Sequence, residues 1–217
     1  MKCSSMAELI NQYNELYPNF STVPFQNDCI IQESNVRNNN KDLLSVTIRG
    51  ISGELFPCAI MSSSTSFYKM ANSKNPVKSD NCDGILYTEF NGRKVLLVCE
   101  LKSGFDIDRL CHAKEQIVGS YMRLRAQLSI LQSKSGYEVH GVIASYLPSS
   151  EKLTQIKNCN DMKAKFAKNL YTRCSHTMIE AKCKSFYYPL DVPGFTIHYV
   201  GVPQGCQNFE VKIEDII

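Results

Sequence analysis

Long apolar runs are missing from this 217-residue chain. The longest near its middle, Val95 to Cys99, is strand-sized, far short of the roughly 18 uncharged apolar residues that a membrane-spanning helix needs. No membrane partner is expected. Glycine and proline are scarce, at 11 and 8 residues, which excludes collagen and low-complexity architectures. Signal-peptide character is absent as well: MKCSSMAELINQYNELYP has one Lys, and Glu8 and Glu15 interrupt it before an apolar region can build. The expectation is an intracellular chain, in the cytoplasm or, in a eukaryote, the nucleus. Its ten cysteines are then expected as reduced, mostly buried thiols. Paired CxxC or CxxH spacing is lacking, and the nearest approach, Cys174, His176 and Cys183, fits no common zinc ladder.

What is present is ordinary for a globular protein: 43% hydrophobic and 21% charged residues. The length suits one domain over 1–217, with a core at about 43–146 and a basic helical and strand part at 150–217. The net charge of +3 is too small to argue for nucleic acid, but its distribution is uneven. Residues 1–60 carry four Lys/Arg against six acids, whereas 151–185 carry eight against three. That basic segment suits either a polyanion or the solvated face of an amphipathic helix.

Residues Met6 to Leu16 predict a short helix, with Leu9, Ile10, Tyr13 and Leu16 at helical spacing. Asn35 to Asp42 is a polar loop, and Leu43–Arg49 and Leu55–Met61 predict strands around a turn at Gly50 to Gly53. The polar stretch SSSTS to ANSKNP follows. Further on, Asp106 or Asp108 would cap a long helix whose Leu110, Ala113, Ile117, Tyr121, Leu124, Leu128 and Leu131 form one apolar stripe. Tyr137–Tyr146 predicts a buried strand, Met162–Ala181 a basic amphipathic helix, and Phe195–Val202 and Phe209–Ile213 late strands. The order predicts an α/β or α+β protein, a mixed sheet with helices packed on it.

The most informative section is DGILYTEFNGRKVLLVCELKSG. Asn91 and Gly92 are the strongest short signal for a two-residue hairpin with a type I′ turn. If Phe90 and Arg93 flank that turn, Glu89 faces Lys94, Tyr87 faces Leu96, Ile85 faces Val98, and Asp83 faces Glu100. Directly opposed Cβ atoms lie about 4.5–5.5 Å apart, so two carboxylates sit side by side, and Lys102 projects from the same face one pleat along. Apolar residues on both faces place the hairpin centrally in its sheet. Two buried like charges repel unless a cation joins them. Hard Mg²⁺ suits one or two carboxylates together with substrate phosphate. Metal to activate water and polarise phosphate, with a Lys to balance charge, is what phosphodiester hydrolysis requires.

Asp83-Gly84-Ile85, a hairpin, then Glu100-Leu101-Lys102 resembles the signature of the PD-(D/E)XK nuclease superfamily, the restriction-endonuclease-like fold. Cys82 stands where the family often has Pro. The resemblance covers residues 80–146 and implies an αβββαβ core with a mixed central sheet flanked by helices. It implies that Asp83, Glu100 and the Leu101 carbonyl bind Mg²⁺ or Mn²⁺ and that Lys102 orients or activates the attacking water. It also implies a polar residue on the following helix, Gln116 or Lys114, and in some members a Glu on the N-terminal helix, here Glu15 or Glu8, with Glu33 behind them. The function implied is a metal-dependent nuclease, acting on DNA in preference to RNA because the superfamily mostly cuts DNA. It would work alone, as a homodimer or as a subunit of a larger nuclease system. Lys114, Lys163, Lys165, Lys168 and Arg173 are the candidate nucleic-acid contacts.

Other readings fit the same residues. Asp83 suits a strand-leading turn, and Glu100 and Lys102 suit solvent-side positions near a strand end. Gln116 and Lys114 border the helix stripe, where polar residues normally begin. A catalytically silent module binding nucleic acid or protein on the same fold is the alternative function. The single histidines, 112, 140, 176 and 198, lack a nucleophile partner and read as structural or surface residues. The aromatics in FYYP and FTIHY read as core before base-stacking residues.

Overall fold

A computed structural model describes residues 5–33, 43–59, 81–131, 136–177 and 194–217. In chain order the elements are α1 (Met6–Leu16), β1 (Val23–Phe25), β2 (Asp28–Gln32), β3 (Ser45–Arg49), β4 (Gly53–Phe56), β5 (Gly84–Phe90) and β6 (Arg93–Lys102). Then come α2 (Ile107–Ser129), β7 (Glu138–Tyr146), α3 (Ser150–Asn158), α4 (Met162–Arg173), β8 (Ser175–Thr177), β9 (Thr196–Val202) and β10 (Asn208–Lys212). No helix among the described residues is long and apolar enough to cross a membrane.

The protein is α/β. Seven strands form a mixed sheet in the order β1-β4-β5-β6-β7-β9-β8, and three more form a second sheet, β10-β3-β2. From β1 to β6 the neighbours are antiparallel. β6, β7 and β9 run parallel to one another, which requires long crossovers; α2 lies within the first of them. Both faces of the large sheet are covered. Ile85, Tyr87, Leu96, Val98, Ile143 and Ile197 pack with α1, α2 and α4, while Leu86, Leu97, Cys99, Leu101 and Val142 pack against Val46 and Ile48 of the second sheet. Burial on both faces explains why β6 reads as a nearly continuous apolar run.

The hairpin has the predicted register, with all seven pairs from Gly84 with Cys99 to Phe90 with Arg93. Asn91 and Gly92 take φ of 51° and 71°, the two positive values that a type I′ turn needs. α1 spans the predicted residues, capped by the Ser5 hydroxyl accepting from the Glu8 N–H, with Leu9, Ile10 and Tyr13 buried. Asp106, one of the two predicted caps, accepts from the Arg109 N–H to start α2.

Several expectations differ from what is observed. The strands flanking Gly50 to Gly53 do not share a sheet: β3 joins β2 and β10, and β4 joins β1 and β5. Gly50, at φ 80°, turns the chain from one layer to the other. The strand predicted for Leu55–Met61 runs instead from Gly53 to Phe56 and stops before Pro57, which has no N–H to give a ladder; residues 60 and 61 lie outside the described set. The basic helix predicted to Ala181 ends at Arg173, because Cys174 takes a left-handed φ of 51° and the chain turns into β8. β1, β2 and α3 are additional elements. The whole polar loop from Asn35 to Asp42 and the whole SSSTS to ANSKNP stretch lie outside the described residues.

Candidate active site

The hairpin register carries one step beyond β5. The Asp83 N–H donates to the Cys99 carbonyl at 3.0 Å, and the Leu101 N–H donates to Asp83 Oδ2 at 2.7 Å. Asp83 is thereby tied to the backbone on either side of Glu100. Alternation along β6 sends Glu100 to the same face as Leu96 and Val98, under α2. There its side chain is 1% exposed, which rules out a solvent-side position.

Lys102 is on the same face, and its ammonium donates to Glu100 Oε1 and, at 2.8 Å, to Gln116 Oε1. Gln116, buried on α2, donates in turn from Nε2 to the Asn81 carbonyl at 2.9 Å. The four residues predicted as catalytic, Asp83, Glu100, Lys102 and Gln116, are thus brought together by two strands and one helix. Burial, then the charge of Asp83, pushes the Glu100 carboxyl well above its usual range, and Lys102 opposes that shift without cancelling it. Glu100 Oε2 is buried and has no hydrogen-bond partner among the described residues.

A buried carboxylate oxygen without a partner, a second carboxylate close enough to raise its pKa, and the Leu101 carbonyl are hard oxygen donors of the kind that Mg²⁺ or Mn²⁺ takes. No group of three His, Cys, Asp or Glu is gathered among the described residues, and Mg²⁺ commonly needs one or two protein carboxylates, with water and substrate phosphate supplying the rest. The residues present fit such an ion.

Of the candidates for a third carboxylate, Glu8 and Glu15 are exposed on α1, while Glu33, half-buried just past β2, adds its charge to those acting on Glu100. The predicted phosphate contacts divide. Lys114 sits over the Phe166 ring at 5.0 Å from its centroid, Lys163 pairs with Asp108 at 2.9 Å, and Lys168 donates to the Cys159 carbonyl at 3.0 Å. Lys165 and Arg173 are exposed on α4. Phe195 and Tyr199 of FTIHY are core residues, while FYYP lies outside the described residues.

Sequence reading missed Asn81, Ser120 and Arg123. The Cys82 N–H donates to Ser120 Oγ at 2.9 Å, and Arg123 donates to Asn81 Oδ1 at 2.9 Å and to Ser120 Oγ at 3.3 Å. The available signal was an Arg at helical spacing from Gln116, inside an apolar stripe. Comparison of the chain with protein-family models, curated proteins and solved structures finds no match.

Proposed function

We propose that the protein is a metal-dependent nuclease that hydrolyses nucleic-acid phosphodiester bonds, with DNA as the preferred class, on a restriction-endonuclease-like αβββαβ core. The observation that carries this reading is the buried Glu100 carboxylate, with one oxygen unpartnered among the described residues, flanked by Asp83 and by a Lys102 that Gln116 holds in place. The order of elements supports it: α1, the antiparallel run β4-β5-β6, α2, then β7 parallel to β6.

Asp83, Glu100 and the Leu101 carbonyl would hold Mg²⁺ or Mn²⁺, which when bound stabilises charge on the attacked phosphate. Two of the three ammonium donors of Lys102 go to Glu100 and Gln116. Its third can orient the attacking water or a phosphate oxygen. Gln116 removes the rotational freedom of that ammonium, a form of preorganisation. Lys165 and Arg173 supply exposed cations for the phosphate backbone.

The test is calorimetry with Mn²⁺ on wild type, Asp83→Ala and Glu100→Ala, and incubation of all three with duplex DNA, single-stranded DNA and RNA. Metal binding and cleavage by wild type, with both lost in each variant, is the expected result, and the panel names the substrate. Wild type that binds no metal, together with variants that are unchanged or more stable, replaces the nuclease with the silent binding module.

A further inference from the structure

α2 presents three polar side chains at steps of four and three, Gln116, Ser120 and Arg123, which fall on one helical face. All are buried, and Arg123 and Ser120 are 0% exposed. They converge on the two residues that precede Asp83. Gln116 takes the Asn81 carbonyl, Ser120 the Cys82 N–H, and Arg123 both the Asn81 side chain and Ser120.

A buried guanidinium is costly to desolvate, and a Met or Leu of similar volume would fill the same space with no charge to bury. What Arg adds is a donor group of fixed plane, whose Nη2 alone ties two acceptors at once. The acceptors here sit on different elements: Asn81 on the approach to β5, Ser120 on the helix. Asn81 also donates to the Cys58 carbonyl at 3.3 Å, so the segment after β4 joins the same clamp.

We propose that Arg123 is a positioning residue for the carboxylate pair: through Asn81 and Ser120 it fixes the backbone leading into β5, so that the Asp83 carboxylate stays bonded to the Leu101 N–H beside Glu100. This rests on the nuclease reading for its functional meaning and on the hydrogen bonds alone for its geometry.

The full chain is compared as wild type, Arg123→Met, Arg123→Lys and Asn81→Ala, each verified as folded by its thermal transition. Hydrogen exchange of the Leu101 amide is read relative to that of Leu97, further back on β6. A general loss of stability raises both rates together, whereas a released Asp83 raises only that of Leu101. For Arg123→Met and Asn81→Ala the ratio should rise about tenfold or more and Mn²⁺ affinity fall by a similar factor, the scale seen when groups behind metal ligands are removed. Arg123→Lys, which keeps the charge and its donors on one nitrogen but lacks the guanidinium's fixed plane, should lie between wild type and Arg123→Met in both readouts.

An exchange ratio equal to wild type in folded Arg123→Met and Asn81→Ala overturns the proposal. Should Arg123→Met fail to fold, Asn81→Ala leaves the guanidinium in place and is judged by the same ratio. The nuclease reading fails separately, through a wild type that binds no Mn²⁺ and cuts nothing. The exchange ratio of metal-free protein still decides whether Arg123 positions Asp83.

Discussion

Two polar clusters lie on opposite faces of the large sheet, one buried and one only partly so, and they satisfy themselves differently. Under α2, Glu100, Lys102 and Gln116 leave a buried carboxylate oxygen without a partner among the described residues. On the other face, His140 Nδ1 and His198 Nε2 meet at 2.9 Å, with ring centroids 5.1 Å apart, so that one imidazole N–H donates to the other's lone pair. Glu138 lies 3.6 Å behind His140 and is paired with Arg93 at 3.2 Å. The histidine chain leads out to a surface ion pair. The carboxylate cluster does not close, and a buried polar group with unmet demand is the better guide to a ligand.

The two clusters differ most at Glu100. Glu100→Gln removes the charge and keeps the shape. We expect cleavage to fall on the order of a hundredfold or more, the scale of losing one preorganised electrostatic group. Thermal unfolding of the same variant should stay within about 1–2 kcal/mol of wild type, because relief from burying the carboxylate is offset by loss of the anionic partner of Lys102. A variant that is strongly destabilised and still cuts would make Glu100 a structural ion-pair partner only.

The two clusters should also respond to pH with opposite sign. Burial, and for His198 the neighbouring His140, lowers both histidine pKa values, that of His198 to about 4. The folded state therefore binds fewer protons than the unfolded one, and the pair's contribution is intact above about pH 6.5 and lost as pH falls toward 4. Glu100 is raised, so folding is relieved of its charge as pH falls through its folded pKa. Denaturant melts from pH 7 to 4 should give His198→Asn a shallower acid loss than wild type, by about 1–2 kcal/mol with solvent screening of the partly exposed rings allowed for. Glu100→Gln should give a steeper one. Parallel curves for all three proteins would remove the contrast.

Gly92 at φ 71° meets nothing within 4 Å of an added Cβ, so Gly92→Ala carries only the left-handed backbone penalty, about 1 kcal/mol by chemical denaturation. A larger loss would mean that the hairpin turn governs the site. Lys165→Ala and Arg173→Ala should each weaken duplex binding with little sequence dependence and reduce the salt slope by about one. Lys163→Ala, with its cation already on Asp108, should do less.

The site was legible where it was local. Asn91 and Gly92 set the turn, the period of two sets the faces, and together they put Asp83 beside Glu100 and Lys102 with no knowledge of the rest of the chain. Gln116 was legible as a polar residue on the helix that follows. Arg123 was not, because its partners Asn81 and Ser120 are acceptors of a common type whose convergence depends on how α2 lies across the sheet. Nor was the histidine pair: His140 and His198 are 58 residues apart and meet through the parallel register of β7 and β9.

What the amino-acid order determined by itself was therefore α1, the β5 and β6 hairpin with its register, the α2 stripe, and the spacing of the carboxylates and the lysine. Each rests on side-chain periodicity or turn chemistry acting over a few residues. Tertiary structure alone decided that β3 and β4 part into different sheets, that β10 returns to pair with β3 across more than 150 residues, and that Glu100 is buried. Burial is a property of what covers a residue, and here the cover is a helix on one face and a second sheet on the other, brought together by contacts that no local pattern encodes.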